Sequence, residues 1–454
     1  MTDNSNILRA SYHTLGCKLN FSETSAIGMQ LAQRDIIKAL PGETPDIVVV
    51  NTCSVTEVAD KKGRSLIRRL RSRWPDATLV VTGCYAQLKP QEVASIEGVD
   101  MVLGNDEKLK MADYLDRWME DRKERVDVHE WKDIREFRGA CERGDRTRYW
   151  LKVQDGCDYF CTYCTIPFAR GRSRSGDIAS LTAEARRAAA EGGKEIVLTG
   201  VNVGCFGKDT GENFLDLLKS LDAVEGIERY RISSIEPNLL TEEIIRWIAE
   251  DSRAFMPSFH IPLQSGSDEV LRLMNRRYRT DLFTDRINLI RSLIPDAFIG
   301  VDIIAGARGE TDEEWRVGLD YAASLPVSRY HVFPYSERPG TKALAIAGQV
   351  SQEEKHRRVA QLTKLSDEKL RGFSRRYFGE VRPVLWEHPD SADEGLMYGH
   401  TDNYLRVCAK ASPDLYNTIS EARITGFHNA DPETLSATIC LLYTSPSPRD
   451  TERS

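Results

Sequence analysis

The sequence predicts an α/β protein in three parts: an N-terminal domain on a parallel sheet, a central partial barrel of six β/α units, and a small C-terminal β-barrel. Over residues 1–120, unbroken β-branched runs alternate with amphipathic stretches, the pattern of a parallel sheet covered on both faces. From Tyr149 the alternation resumes for six rounds, too few to close an eight-stranded barrel. After residue 378 the helical pattern stops and short alternating strands follow, as in a small barrel. The expected limits are 1–120, a linker at 121–148, 149–377, 378–440 and a patternless tail at 441–454.

In the first part, strands are expected at Ala10–Leu15, Asp46–Val50 and Ala77–Thr82, with helices at Phe21–Gln33, Glu57–Arg73 and near Gln91. Each strand runs into a cysteine: Leu15-Gly16-Cys17, Asn51-Thr52-Cys53 and Thr82-Gly83-Cys84. Open α/β sheets build their sites at the carboxyl ends of strands. Three thiols on that edge suit a metal cluster with one open position; three unrelated buried cysteines are the alternative. The stretch Asp121–Arg148 is rich in charge, with Arg135, Arg138, Arg143, Arg146 and Arg148, and reads as a linker or a domain-crossing segment.

The central strands are expected at Tyr149–Val153, Glu195–Thr199, Tyr230–Ile235, Phe259–Leu263, Phe298–Ile304 and Tyr330–Phe333. Helices between them include Leu181–Glu191, Asn213–Leu221, Thr241–Ala249 and Glu310–Ala323. Directly after the first strand comes Gln154-Asp155-Gly156-Cys157-Asp158-Tyr159-Phe160-Cys161-Thr162-Tyr163-Cys164. The C-x₃-C-x₂-C spacing brings three thiolates onto one small volume, suiting an iron–sulfur cubane with one iron open. Zinc is the competitor, but a structural zinc site takes a fourth protein ligand, and no His or Cys follows within several residues. On the same strand edge, Thr199, Gly200, Ser234 and Gln264 stand in loops where small and hydrogen-bonding residues let a cofactor approach the backbone. A long charged helix, about Gln352–Tyr377, leads to strands at Val381–Trp386, Leu396–His400, Leu405–Ala409 and Glu421–Phe427. The tail from Leu441 is Ser/Pro/Arg-rich and reads as disordered and foreign to the native coding sequence.

Composition narrows the class. Hydrophobic residues make up 41% and charged residues 29%, ordinary for a soluble globular chain. There is no apolar run of about 18 residues, so no membrane helix is expected. The polar start Met1–Asn6 lacks the regions of a signal peptide, and a cytoplasmic location is the expectation. Ten cysteines in a reducing compartment read as ligands and buried thiols rather than disulfides. The net charge of −7 gives no global attraction to nucleic acid, so any such binding must come from local basic patches. The candidates are Lys61–Arg73, then Arg170, Arg172 and Arg174, then Arg276-Arg277-Tyr278-Arg279. The second of these directly follows the cysteine loop and is favoured for phosphate contact.

The order of these motifs resembles the methylthiotransferases of the radical S-adenosylmethionine superfamily, with a TRAM barrel at the end. Lys152–Cys157, Ile166–Gly171, His260–Ser267 and Tyr335–Thr341 look most like its MtaB-type branch. That branch converts N6-threonylcarbamoyladenosine beside the tRNA anticodon to its 2-methylthio form. The resemblance implies two 4Fe–4S clusters, one on Cys157, Cys161 and Cys164 and one on Cys17, Cys53 and Cys84. It implies S-adenosylmethionine on the open iron of the first cluster, yielding a 5′-deoxyadenosyl radical, while the second cluster carries sulfur and accepts a methyl group. Implied partners are tRNA, an electron donor such as a flavodoxin or ferredoxin, and a sulfur source. Cys141, Cys205, Cys408 and Cys440 match no ligand position and read as ordinary thiols. The family's Gly-Phe-Pro-Gly-Glu-Thr turn here reads Gly306-Ala307-Arg308-Gly309-Glu310-Thr311, which puts the packing of that loop in question. Rival readings are methylthiolation of isopentenyl-adenosine in tRNA or of a ribosomal-protein aspartate, and a non-catalytic iron–sulfur or zinc RNA-binding module.

Overall fold

The computed structural model describes residues 7–123, 125–144, 147–389 and 395–440. The start Met1–Asn6, Arg146 and the tail 441–454 lie outside the described residues. The chain divides into two compact units, Met1–Ser366 and Asp367–Ser454.

In the first unit, β1 (Leu8–Thr14), β2 (Ile36–Lys38), β3 (Ile47–Thr52), β4 (Thr78–Gly83), β5 (Met101–Leu103) and β6 (Arg125–Asp127) form one parallel sheet, in the order β2-β1-β3-β4-β5-β6. Every residue of β3 and β4 is buried, because helices cover both faces and leave a separate apolar core on each side. The helix Glu57–Arg73 shows why the sequence breaks where it does. Thr56 caps it by accepting from the Ala59 amide, Glu57 and Asp60 occupy its first turn, and Arg71 and Arg73 its last, all with the macrodipole.

The charged stretch after this sheet is not a featureless linker. Arg125–Asp127 adds an edge strand, and β7 (Cys141–Glu142) pairs antiparallel with β8 (Tyr149–Lys152). The short β9 (Gln154–Asp155) and β10 (Arg174–Ser175) pair with each other. Then β11 (Glu195–Thr199) and β12 (Arg229–Ile232) extend β8 in parallel, and β13 (Ser258–Gln264), β14 (Phe298–Ala305) and β15 (Arg329–Pro334) form a second parallel group. A parallel bridge between Ser234 and His260 joins the groups. Six parallel strands therefore run in chain order around a partial barrel, and one large core lies between them and their helices.

In the second unit, β16 (Val381–Pro389), β17 (Leu396–Thr401), β18 (Arg406–Lys410), β19 (Ile419–His428) and β20 (Asp431–Ile439) close into a five-stranded barrel. Val384, Trp386, Met397, Val407, Ile424 and Leu435 are buried in it, and the Trp386 indole N–H is satisfied by Ser420 Oγ at 2.8 Å.

Candidate metal centres and cofactor site

The N-terminal cysteines stand where the strand ends turn into helices. Cys17 is the residue before the helix Lys18–Ala32, Cys53 follows β3, and Cys84 opens the helix Cys84–Leu88. Two glycines make the approach possible. Gly83 has φ +94°, and a Cβ there would fall 2.3 Å from the Thr52 carbonyl oxygen; at Gly16, with φ +108°, it would fall 2.7 Å from Cys53 Cβ. Asn20 Nδ2 donates to the Leu15 and Thr52 carbonyls at 2.9 and 3.1 Å, tying the first two loops together. Burial, together with the neighbouring Cys84 and Cys17, pushes the Cys53 thiol up to about 12. Cys84 is raised by burial as well.

The second cysteine loop hangs from β9. Gly156, at φ +70°, turns the chain where any Cβ would meet the Arg172 carbonyl oxygen at 2.0 Å. The loop is pinned by Cys157 N–H to Gly171 O at 3.1 Å, Thr162 N–H to Met274 O at 3.1 Å and Ala343 N–H to Thr162 O at 2.9 Å. Each sulfur receives one N–H donor: Tyr159 N to Cys157 Sγ at 3.5 Å, Arg276 Nη1 to Cys161 Sγ at 3.1 Å, and Ile166 N to Cys164 Sγ at 3.4 Å. Burial pushes Cys157 and Cys164 up to about 12 and raises Cys161. All are free thiols.

Both sets fit an iron–sulfur cluster on these observations. The thiols of Cys53, Cys84, Cys157, Cys161 and Cys164, all raised by burial, stay protonated on their own, whereas a cluster's iron supplies the cationic charge that holds them as thiolates; Cys17 is exposed. In the second loop, three sulfurs with an N–H donor aimed at each suit a three-cysteine cluster better than tetrahedral zinc, which takes four ligands.

A buried charge network joins the two loops, and it corrects the RNA reading of two arginines. Arg170 is 1% exposed. It donates to Glu23 through both terminal nitrogens at 3.0 Å, to Asn20 Oδ1 at 2.6 Å and to Asp155 Oδ1 at 3.0 Å. Arg174 is also buried, on Asp155 Oδ2 at 3.1 Å and the carbonyls of Glu136 and Arg170 at 2.9 and 2.6 Å. Neither is available to a phosphate; of the three, only Arg172 is exposed, 4.7 Å over the Phe160 ring. Lys108 and Lys152 complete the network on Glu23 at 2.5 and 2.9 Å, and Lys152 also meets Asp155 at 2.7 Å. Burial alone would raise both carboxyls. Arg170, Lys108 and Lys152 hold Glu23 well below the usual range, and Lys152, Arg170 and Arg174 do the same for Asp155. Glu23 belongs to the helix after Cys17, and Asp155 precedes Cys157 by two residues. The two cysteine loops thus share one rigid base.

Arg276 corrects the third basic patch. Besides Cys161, it pairs with Glu236 and donates to Tyr278 Oη at 3.2 Å, so it is buried while Arg277 and Arg279 stay exposed. The first patch keeps Lys61, Lys62, Arg68, Arg69 and Arg73 exposed, whereas Arg64 is held by Glu92 at 2.9 Å.

The cofactor candidates sit at the strand ends beside the second loop. Thr199 Oγ1 donates to the Leu151 carbonyl at 3.3 Å, and Gly200 lies where a Cβ would meet the Gln154 carbonyl oxygen at 2.9 Å. Ser234 bridges to His260, and Gln264 ends β13 at φ +69° after a bulge. The clearest signal for a bound polar molecule was missed in the sequence. Asn202 is 3% exposed, yet neither its side-chain nitrogen nor its oxygen has a partner, and Ser233 Oγ, just after β12, is buried and unpartnered too. Buried amides without partners are costly, so these atoms fit a ligand such as S-adenosylmethionine. Neither spacing nor composition distinguishes Asn202 from a turn residue.

Of the remaining cysteines, Cys205 packs on Cys161 and Tyr159. The substituted turn packs well: Ala307 enters a cluster with Val270, Met274, Tyr335 and Ala343, and Arg308 Nε meets Glu337 at 2.7 Å. Arg338, from the Tyr335–Thr341 motif, reaches the N-terminal domain, donating to Ser54 Oγ and Asp60 Oδ2 at 2.7 and 2.8 Å.

Residues 151–322 match the Radical SAM superfamily, and residues 9–104 match Uncharacterized protein family UPF0004. A threonylcarbamoyladenosine tRNA methylthiotransferase MtaB of Bacillus subtilis (strain 168) is 39% identical over 426 residues, covering 91% of this chain and 93% of its own. The protein of the same name from Aquifex aeolicus (strain VF5) is 35% identical, covering 88% and 96%. A tRNA-2-methylthio-N(6)-dimethylallyladenosine synthase of Pelotomaculum thermopropionicum (strain DSM 13744 / JCM 10971 / SI) is 31% identical, covering 90% and 94%. Among solved structures, the radical S-adenosylmethionine methyltransferase TsrM from Kitasatospora setae, with cobalamin and a 4Fe–4S cluster bound, aligns at a TM-score of 0.56 with 15% identity, covering 74% of this chain and 77% of that one. That likeness concerns the fold.

Proposed function

The chain belongs to the tRNA methylthiotransferases of the radical S-adenosylmethionine superfamily, and from that premise we propose that it adds a methylthio group to C2 of N6-threonylcarbamoyladenosine beside the tRNA anticodon. It uses two 4Fe–4S clusters and S-adenosylmethionine. One observation carries the reading: two separate three-cysteine sites, each with an open position to offer, rest on a single buried network of Glu23, Asp155 and Arg170.

An aromatic C–H bond is too strong and too weakly acidic for side-chain acid–base chemistry. When bound, the cofactors supply the one-electron chemistry that breaks it and the sulfur that replaces the hydrogen. In this reading Cys157, Cys161 and Cys164 hold the first cluster, and Cys17, Cys53 and Cys84 the second. Arg276 donates to the Cys161 sulfur and would tune the potential of a cluster held there. Asn202, Ser233, Thr199, Gly200, Ser234 and Gln264 line the place for S-adenosylmethionine. Glu23, Asp155 and Arg170 fix the separation of the two sites. Arg172 and Arg277 offer exposed positive charge beside the cluster loop for RNA phosphates. A small electron-transfer protein such as a flavodoxin or ferredoxin supplies electrons, a separate sulfur source reloads the second site, and the enzyme works in the cytoplasm. Among the described residues no helix is long and apolar enough to cross a membrane.

Relatives named for N6-threonylcarbamoyladenosine match at 33–39% identity, against 31% for those named for the dimethylallyl nucleoside. Mass spectrometry of tRNA nucleosides from cells lacking and regaining the gene tests the choice. Loss and return of 2-methylthio-N6-threonylcarbamoyladenosine is expected. Loss and return of the isopentenyl product instead would contradict it.

A further inference from the structure

Inside the partial barrel stand three side chains that the cysteine sites do not use. His260 on β13, Asp302 on β14 and His331 on β15 are half-buried, while their neighbours Phe259, Ile261, Val301, Ile303 and Tyr330 belong to the core. Side chains alternate along a strand, so the three face the lumen rather than the helices. His260 Nε2 lies 2.7 Å from Asp302 Oδ1, and the two imidazole rings are 5.2 Å apart between centroids. The charge of Asp302 reaches Glu236, the partner of Arg276 at Cys161, and the charge of Lys18, the residue after Cys17, reaches His331. Asp302 thus lies within electrostatic reach of the Arg276–Glu236 pair beside Cys161, and His331 within reach of Lys18 beside Cys17.

Two imidazoles and a carboxylate with donor atoms within 4.8 Å of one another would also suit a divalent cation. Its surroundings argue otherwise. Burial lowers His331 to about 4, the charges of His260, Arg329 and Lys18 act in the same direction and that of Asp302 opposes them; the fixed charges of Arg329 and Lys18 stand against an added dication. An uncharged or anionic group rich in hydrogen-bonding atoms fits better. With Nε2–H donated to Asp302, the other edge of His260 and the His331 ring face the lumen.

We propose that His260, Asp302 and His331 form the subsite for the polar N6 substituent of the substrate adenine, a ureido-linked amino acid bearing a carboxylate and a hydroxyl. This rests on the substrate reading above and deepens it. The Asp302 side suits the ureido N–H groups, and the positive field at His331 suits the carboxylate. An isoprenoid substituent would offer no hydrogen-bonding partner to the outer edge of His260 or to the His331 ring. Sites built to hydrogen-bond reject such analogues strongly.

The test uses the cluster-reconstituted full chain and three anticodon stem-loop RNAs whose adenosine carries a threonylcarbamoyl group, a dimethylallyl group or no substituent. Affinity is read by fluorescence anisotropy, and cluster absorbance reports the fold. The wild type should prefer the threonylcarbamoyl RNA over the bare RNA by about tenfold or more. His331→Leu should remove most of that preference while leaving affinity for bare RNA and the cluster spectrum unchanged, and His331→Gln should restore part of it. If His331→Leu loses its clusters, His331→Gln and Asp302→Asn carry the same comparison. A preference untouched by variants with intact clusters overturns the subsite, even if the wild type modifies the threonylcarbamoyl RNA. A wild type that binds and modifies the dimethylallyl RNA instead overturns the substrate reading itself.

Discussion

Arg170 and Arg172, two residues apart, should respond to substitution in opposite ways. Arg170→Ala strips two buried carboxylates, Glu23 and Asp155, of a shared partner, and breaking such a network typically costs about 3–5 kcal/mol. Chemical denaturation should report that loss. Arg172→Ala should change stability by less than about 0.5 kcal/mol. It should instead weaken tRNA binding and reduce its salt slope by about 1; an unchanged slope would remove Arg172 from the RNA surface. The pH dependence follows from the same network. Glu23 and Asp155 have folded pKa values below their unfolded ones, so their contribution is fully present above the unfolded carboxylate range and is lost as pH falls below about 4. Acid unfolding of Arg170→Ala should begin at higher pH than in the wild type; coincident curves would contradict this. Arg276→Met should shift the first cluster to a more negative midpoint potential, read by EPR-monitored redox titration, because a cationic donor to Cys161 is lost. At this scale the placement of Cys17, Cys53 and Cys84 at strand ends was legible from the sequence. Arg170 was not, because its partner Glu23 is 147 positions away, and nothing local marks a long-range ion pair.

At the scale of elements, the turns that end β4 and β9 hold the cysteines in place. Gly83→Ala and Gly156→Ala put a Cβ into a carbonyl oxygen at positive φ, so each should cost about 1–3 kcal/mol of strain and deplete one cluster while sparing the other. Iron and sulfide analysis alongside EPR reads this; equal loss of both clusters from either variant would count against two independent sites. The long apolar strands and the capped helix Glu57–Arg73 were readable because apolar run length and cap chemistry agree over many residues. The strands Ile36–Lys38, Met101–Leu103 and Arg125–Asp127 have three residues each, too few for alternation to register. They form because a neighbouring strand presents an unpaired edge.

At the scale of the whole molecule, the order of parts was visible in the sequence, while the way the first two meet was not. That meeting depends on Arg338 reaching Ser54 and Asp60 and on the network around Glu23, contacts between residues with no local signal. The account's central claim is a division of labour between two cysteine sets held at a fixed separation. The most direct test replaces Cys17, Cys53 and Cys84 together by Ala, and separately Cys157, Cys161 and Cys164, with folding checked in both proteins. After anaerobic reconstitution, each is incubated with reductant, S-adenosylmethionine and N6-threonylcarbamoyladenosine-containing tRNA, and 5′-deoxyadenosine and the modified nucleoside are quantified by mass spectrometry. The first variant should still form 5′-deoxyadenosine and make no methylthiolated nucleoside; the second should form neither. Methylthiolated nucleoside from the first variant would contradict the assignment of Cys17, Cys53 and Cys84 to sulfur transfer.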